Sequence, residues 1–100
     1  MIDNYTLEPM YSTQKSFYGK AIVTEYSNGG KDLTSYNTRV CSLDEDNNIV
    51  EIGYYSQTTA RHVNEFLMQN GHDKMTKKEI ENFNKKAWFT QAFMILLNYR

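Results

Sequence analysis

The sequence predicts an α+β fold, a three-stranded antiparallel β-meander packed against two or three C-terminal helices, in the order βββαα with a third helix optional. Three observations lead there. Strand-forming residues in period-two alternation are concentrated in residues 17–55. Asn28-Gly29-Gly30 and Asp44–Asn48 cut that region into short runs. From Ser56 onward the apolar spacing becomes helical and cap signals appear. Strands first and helices afterwards place the helices together on one face of the sheet.

Residues 1–15 are polar and hold the single proline, Pro9. They read as an irregular N-terminal arm, with Tyr5, Leu7, Met10 and Tyr11 able to dock on the core, and residues 16–100 read as one α+β domain. The first strand is Phe17 to Tyr26, where Phe17, Gly19, Ala21 and Val23 alternate with Tyr18, Lys20, Ile22 and Thr24. Asn28-Gly29-Gly30 turns the chain, because Asn and Gly tolerate positive φ. The second strand runs from Leu33 to Leu43, with Tyr36, Thr38 and Val40 on one face and Asn37, Arg39 and Cys41 on the other. The third spans Ile49 to Tyr55 after the polar turn Asp44–Asn48.

Ser56, Thr58 and Thr59 offer N-cap oxygens for the first helix. Within it Val63, Phe66 and Leu67 form the sheet-facing side, and Asn70-Gly71 is the stop, Gly71 suiting the left-handed position after a helix. Thr76-Lys77-Lys78-Glu79 is a capping box for the second helix, with Met75 and Ile80 at the staple positions and Ile80, Phe83 and Ala87 on the apolar face. Trp88 to Tyr99 contains no helix breaker and reads as a third helix, with a strand over Phe93–Leu97 as the competing reading.

At 100 residues and a formal charge of −1, the chain is the size of one small domain. These values exclude a two-domain enzyme, a disordered acidic tail and a polybasic arm. Residues 1–50 carry four bases against seven acids, and residues 51–100 carry seven against five. Neither half has the field of an unselective DNA binder or of a fully acidic DNA mimic. Cys41 is the only cysteine, which excludes an intramolecular disulfide and fits a reducing, cytoplasmic setting. The N-terminus has neither the basic nor the apolar region of a secretory signal, and the longest apolar run, Ala92 to Leu97, is too short to span a membrane.

The candidate chemistry is sparse. Asp44-Glu45-Asp46-Asn47-Asn48 starts like a calcium loop, but the required Gly and Glu positions hold Ile49 and Tyr55, so a solvated hairpin turn is expected. Cys41, His62 and His72 are scattered and lack an orienting group or oxyanion donor, so neither catalysis nor a metal or other cofactor is expected. Arg61 and His62, beside Thr58 and Thr59, could hold a phosphate at the helix N-terminus; ordinary capping with an Arg61–Glu65 surface pair is the preferred reading. Lys74, Lys77, Lys78, Lys85 and Lys86 make the second helix basic, diluted by Asp73, Glu79 and Glu81. In the tail, one helical stripe cannot bury every apolar residue. With Phe93, Leu96 and Leu97 inward, Trp88, Met94 and Ile95 turn outward as an interface anchor.

Four segments carry a resemblance: SFYGKA (Ser16–Ala21), SYNTRV (Ser35–Val40), YYSQTTARHVNEFLMQNG (Tyr54–Gly71) and MTKKEIEN (Met75–Asn82). Together they resemble a family of short, functionally uncharacterised proteins of phages and plasmids of low-GC Gram-positive bacteria. The element order is also similar to that of some small anti-CRISPR inhibitors. The resemblance implies a non-enzymatic mobile-element protein that binds and inhibits a host defence protein, a CRISPR effector being one such target, inside the bacterial host cell. The resemblance covers residues 15–82 and carries over no binding residues; the residues read above as available to a partner are Trp88, Met94, Ile95, Lys77, Lys78 and Arg61. A homodimer through the tail is the competing use of that surface. A nucleic-acid-binding accessory or regulatory protein is the alternative function.

Overall fold

The computed structural model describes residues 3–12, 17 and 19–85. Five antiparallel strands form one sheet in sequence order: β1 (Asp3–Thr6), β2 (Ala21–Glu25), β3 (Lys31–Ser35), β4 (Thr38–Leu43) and β5 (Ile49–Ile52). Helix α1 (Gln57–Gln69) packs across β3 and β4, and a second helix, α2, covers residues 77–85. The α+β class and the antiparallel meander are as expected. The count of three strands is corrected to five.

Both extra strands have a local cause. The stretch read as an irregular arm supplies β1, whose Tyr5 lies opposite Val23 and Thr6 opposite Ile22. The stretch read as one strand, Leu33–Leu43, folds back on itself at Tyr36-Asn37. Both residues have positive φ, 49° and 70°, the sign pattern of a two-residue type I′ hairpin turn, and Ser35 pairs with Thr38 across it. The first strand is also shorter than expected, because Phe17 lies in a turn that its carbonyl closes by accepting from Lys20 and Ala21 N–H.

A β-bulge explains the burial along β4. Leu33 pairs with Cys41 and Thr34 with Arg39, so Val40 is the extra residue. Alternation is broken there, and Val40 and Cys41 are both buried instead of pointing to opposite faces. The helix-facing core gathers Ala21, Val23, Leu33, Leu43 and Ile52 from the sheet and Val63, Phe66 and Leu67 from α1. Leu7, Phe17 and Ile80 close it from outside those elements.

The helix ends follow the sequence signals. Ser56 Oγ accepts from Thr59 N–H at 3.1 Å. At the other end His72 N–H reaches Leu67 O at 2.9 Å and Gly71 N–H reaches Met68 O at 3.2 Å, with Gly71 at φ 83°. That is a Schellman stop, and only glycine takes the left-handed conformation without a Cβ penalty. The capping box of α2 closes in both directions: Thr76 N–H donates to Glu79 Oε1 at 3.0 Å and Glu79 N–H to Thr76 Oγ1 at 3.2 Å. Asp44–Asn48 is a hairpin turn, with Asp44 Oδ1 accepting from Asp46 and Asn48 N–H. The third helix and the competing strand, over residues 88–99, lie outside the described residues.

Candidate functional site

Of the residues that would carry enzyme chemistry, Cys41 and His62 are buried in the core, whereas His72 is half-buried in the loop after α1, its Nε2 2.7 Å from Asn47 O. Cys41 is fully buried, and burial, followed by the nearby Glu51 charge, pushes its thiol up to about 12. A protonated, inaccessible thiol is no nucleophile. His62 is fully buried between the rings of Phe17 and Tyr36, at centroid distances of 4.7 and 5.8 Å. Its Nδ1 lies 2.8 Å from Ser35 Oγ, which in turn lies 3.4 Å from Thr59 Oγ1. His62 Nε2 has no hydrogen-bond partner among the described residues. Burial, then the charge of Lys20, lowers the His62 pKa, so the ring is a neutral core residue. His62 therefore faces inward, Arg61 is exposed, and Thr59 is turned toward Ser35. These three do not converge on one anion site.

The expected Arg61–Glu65 pair does not form. Glu65 is buried, and its carboxylate accepts from Tyr11 N–H at 2.9 Å, Ser12 N–H at 2.9 Å and Gln69 Nε2 at 2.7 Å. Burial alone raises the pKa of Glu65. The Gln69 side chain and the Met10, Tyr11 and Ser12 amides outweigh it, holding the carboxyl below its ordinary value. Gln69 Nε2 also donates to Glu8 O at 2.6 Å. Residues 7–12 are thereby strapped along α1, anchored by the buried Leu7.

This strap helps to build a groove on the outer side of α1. About 450 Å³ in volume, the groove is lined by Ser12, Tyr54, Gln57, Ala60, Arg61, Asn64, Glu65 and Met68. Gln57, Arg61, Asn64 and Met68 recur at the three-and-four spacing that keeps side chains on one helix face. Asn64 is fixed by a double hydrogen bond to the Met75 backbone, at 2.7 and 3.2 Å, which also ties α1 to the segment entering α2. Tyr54, at the rim, lies under Lys77, whose Nζ is 5.4 Å from the ring centroid.

Of the residues expected to bind a partner, Arg61 lines the groove with Tyr54, and Lys77 stands over the Tyr54 ring without lining the groove. Lys78 is exposed on the first turn of α2. Trp88, Met94 and Ile95 lie outside the described residues. Sequence reasoning singled out neither Tyr54 nor Met68; the row from Gln57 to Met68, opposite Val63 and Phe66, was the available signal. On the far face of the sheet Arg39 is committed, pairing with Glu51 at 2.9 Å and Asp32 at 3.9 Å. Arg61 has no ion-pair or hydrogen-bond partner among the described residues.

Among the described residues no cluster of His, Cys, Asp and Glu could hold a metal ion, and no helix is long and apolar enough to cross a membrane. Neither a curated protein nor a solved structure matches the chain. A family model does match, over residues 5–82, from β1 into α2, and so takes in the strap, the groove and the buried Ser35–His62 pair. The chain belongs to that family, a family of unknown function designated DUF8033.

Proposed function

We propose that the chain is a small non-enzymatic protein that acts by binding another protein, through the outer side of α1. The observation that carries this reading is the meeting of Tyr54, Arg61 and Met68 in one groove. Tyr, Arg and Met are the residue types enriched at interface centres, and Arg61 enters the groove with no ion-pair partner among the described residues. The resemblance to phage and plasmid proteins adds the setting: a mobile-element protein in the bacterial cytoplasm, directed at a host defence protein, with a CRISPR effector as one candidate. A second reading, nucleic-acid binding, draws on the same corner, since an aromatic ring beside two cations is also a base-stacking platform.

Capture from host lysate by the tagged protein, with and without nuclease, compares the two. Protein binding predicts the same captured species in both lysates and its loss with the double variant Tyr54→Ala, Arg61→Glu. Capture that disappears on nuclease treatment supports the second reading. Light scattering separates self-association, since a concentration-dependent dimer broken by the double variant would assign the surface to a second copy of the chain.

A further inference from the structure

We infer that the groove on α1 receives a polypeptide segment in which an acidic side chain is flanked by apolar ones, the carboxylate pairing with Arg61. The inference rests on the protein-binding reading and adds the chemistry of the partner. Arg61 would ordinarily be neutralised from within its own helix, because Glu65 stands four residues on. Here Glu65 is buried and saturated by Tyr11, Ser12 and Gln69. The strap that builds one wall of the groove thus also takes away the intrahelical counter-charge of Arg61.

The second charge at the rim has the same sign. Lys77 stands over the Tyr54 ring and has no carboxylate partner among the described residues. Among the described residues Glu65 is the one acid lining the groove, and its oxygens are already occupied. An incoming carboxylate therefore meets Arg61 in the groove, with Lys77 beyond the Tyr54 ring, and no free carboxylate among the described lining residues. Tyr54, Ala60 and Met68 supply apolar surface on either side, and Gln57 offers an amide to a peptide backbone. Guanidinium binds carboxylate through paired N–H donors, so Arg61 fixes the position of the acid as well as attracting it.

Panning a random dodecapeptide library against the immobilised protein tests the inference, with Arg61→Glu as the counter-target. Arg61 is exposed, and an unchanged melting curve for the variant confirms that the fold is intact. The expected result is enrichment of peptides carrying Asp or Glu next to apolar residues. Their affinity, read by fluorescence anisotropy, should fall about tenfold or more with Arg61→Glu and less with Arg61→Lys. Enriched peptides that lack an acid, or that bind Arg61→Glu equally well, overturn the carboxylate assignment and leave protein binding standing. No enrichment on the wild type overturns the groove as a peptide site, and if nuclease-resistant capture from lysate also fails, protein binding falls with it. Tight, salt-sensitive binding of a single-stranded oligonucleotide that depends on Arg61 overturns the inference in favour of phosphate.

Discussion

Glu65 lies one helical turn beyond Arg61, yet its carboxylate is 2.9 Å from the Tyr11 N–H and pairs with the strap instead of the arginine. One buried acid thereby fastens the N-terminal segment to α1 and leaves Arg61, in the neighbouring groove, without an ion-pair partner among the described residues.

Replacing Glu65 by Gln keeps the shape and sets an NH₂ group against backbone donors. Leaving such groups unsatisfied in a buried site costs about 1–3 kcal/mol. Glu65→Gln should lower the urea midpoint accordingly. Because the folded-state pKa of Glu65 lies below its ordinary 4.5, the stability it contributes is present above that value and is lost as pH falls through the folded pKa. The wild type should therefore lose more stability on acidification than the variant, and parallel pH curves would show that the carboxylate is not held by the strap.

His62 gives a second pH signature. Its folded-state pKa lies below 6.5, so the unfolded chain binds the proton first. The contribution of the neutral ring is complete above 6.5 and is lost as pH falls from there toward the folded pKa. NMR titration of the ring protons should place the His62 midpoint below 6.5; a midpoint at or above that value would mean that the ring is solvated and outside the core.

What the sequence made legible was local. The Ser56 cap, the Gly71 stop and the Thr76–Glu79 box each need only residues within a few positions, and all formed as expected. The β1 strand was missed because Asp3-Asn4-Tyr5-Thr6 is mostly polar, as an exposed edge strand can be, and gives little apolar alternation. The β3–β4 hairpin was missed because Tyr36-Asn37 takes positive φ without a glycine. Arg61 was recognisable as a charged helix residue, but its freedom depends on a contact between Glu65 and a residue 54 positions away, beyond the reach of local spacing.

The Tyr36-Asn37 turn stores strain that glycine would release. Non-glycine residues resist positive φ, although Asn resists less than most. Asn37→Gly should raise stability by up to about 1 kcal/mol, while Tyr36, which packs against His62, is left in place. A lowered thermal midpoint would contradict the I′ geometry.

The Thr76 cap should be worth about 0.5–2 kcal/mol to the protein, read as the loss on Thr76→Ala in denaturant. The substitution removes the acceptor for Glu79 N–H, with Ile80 held just beyond it in the core. Unchanged midpoint and slope would mean that α2 contributes nothing to the cooperative unit.

Hydrogen exchange on the purified complex measures most directly where a captured protein sits. Binding through the groove predicts added protection in the strap amides of Glu8 and residues 10–12 and in the segments containing Tyr54 and the Gln57–Met68 row, with β3 and β4 unchanged. Protection confined to β1–β4, with the strap and α1 exchanging as in the free protein, would contradict it.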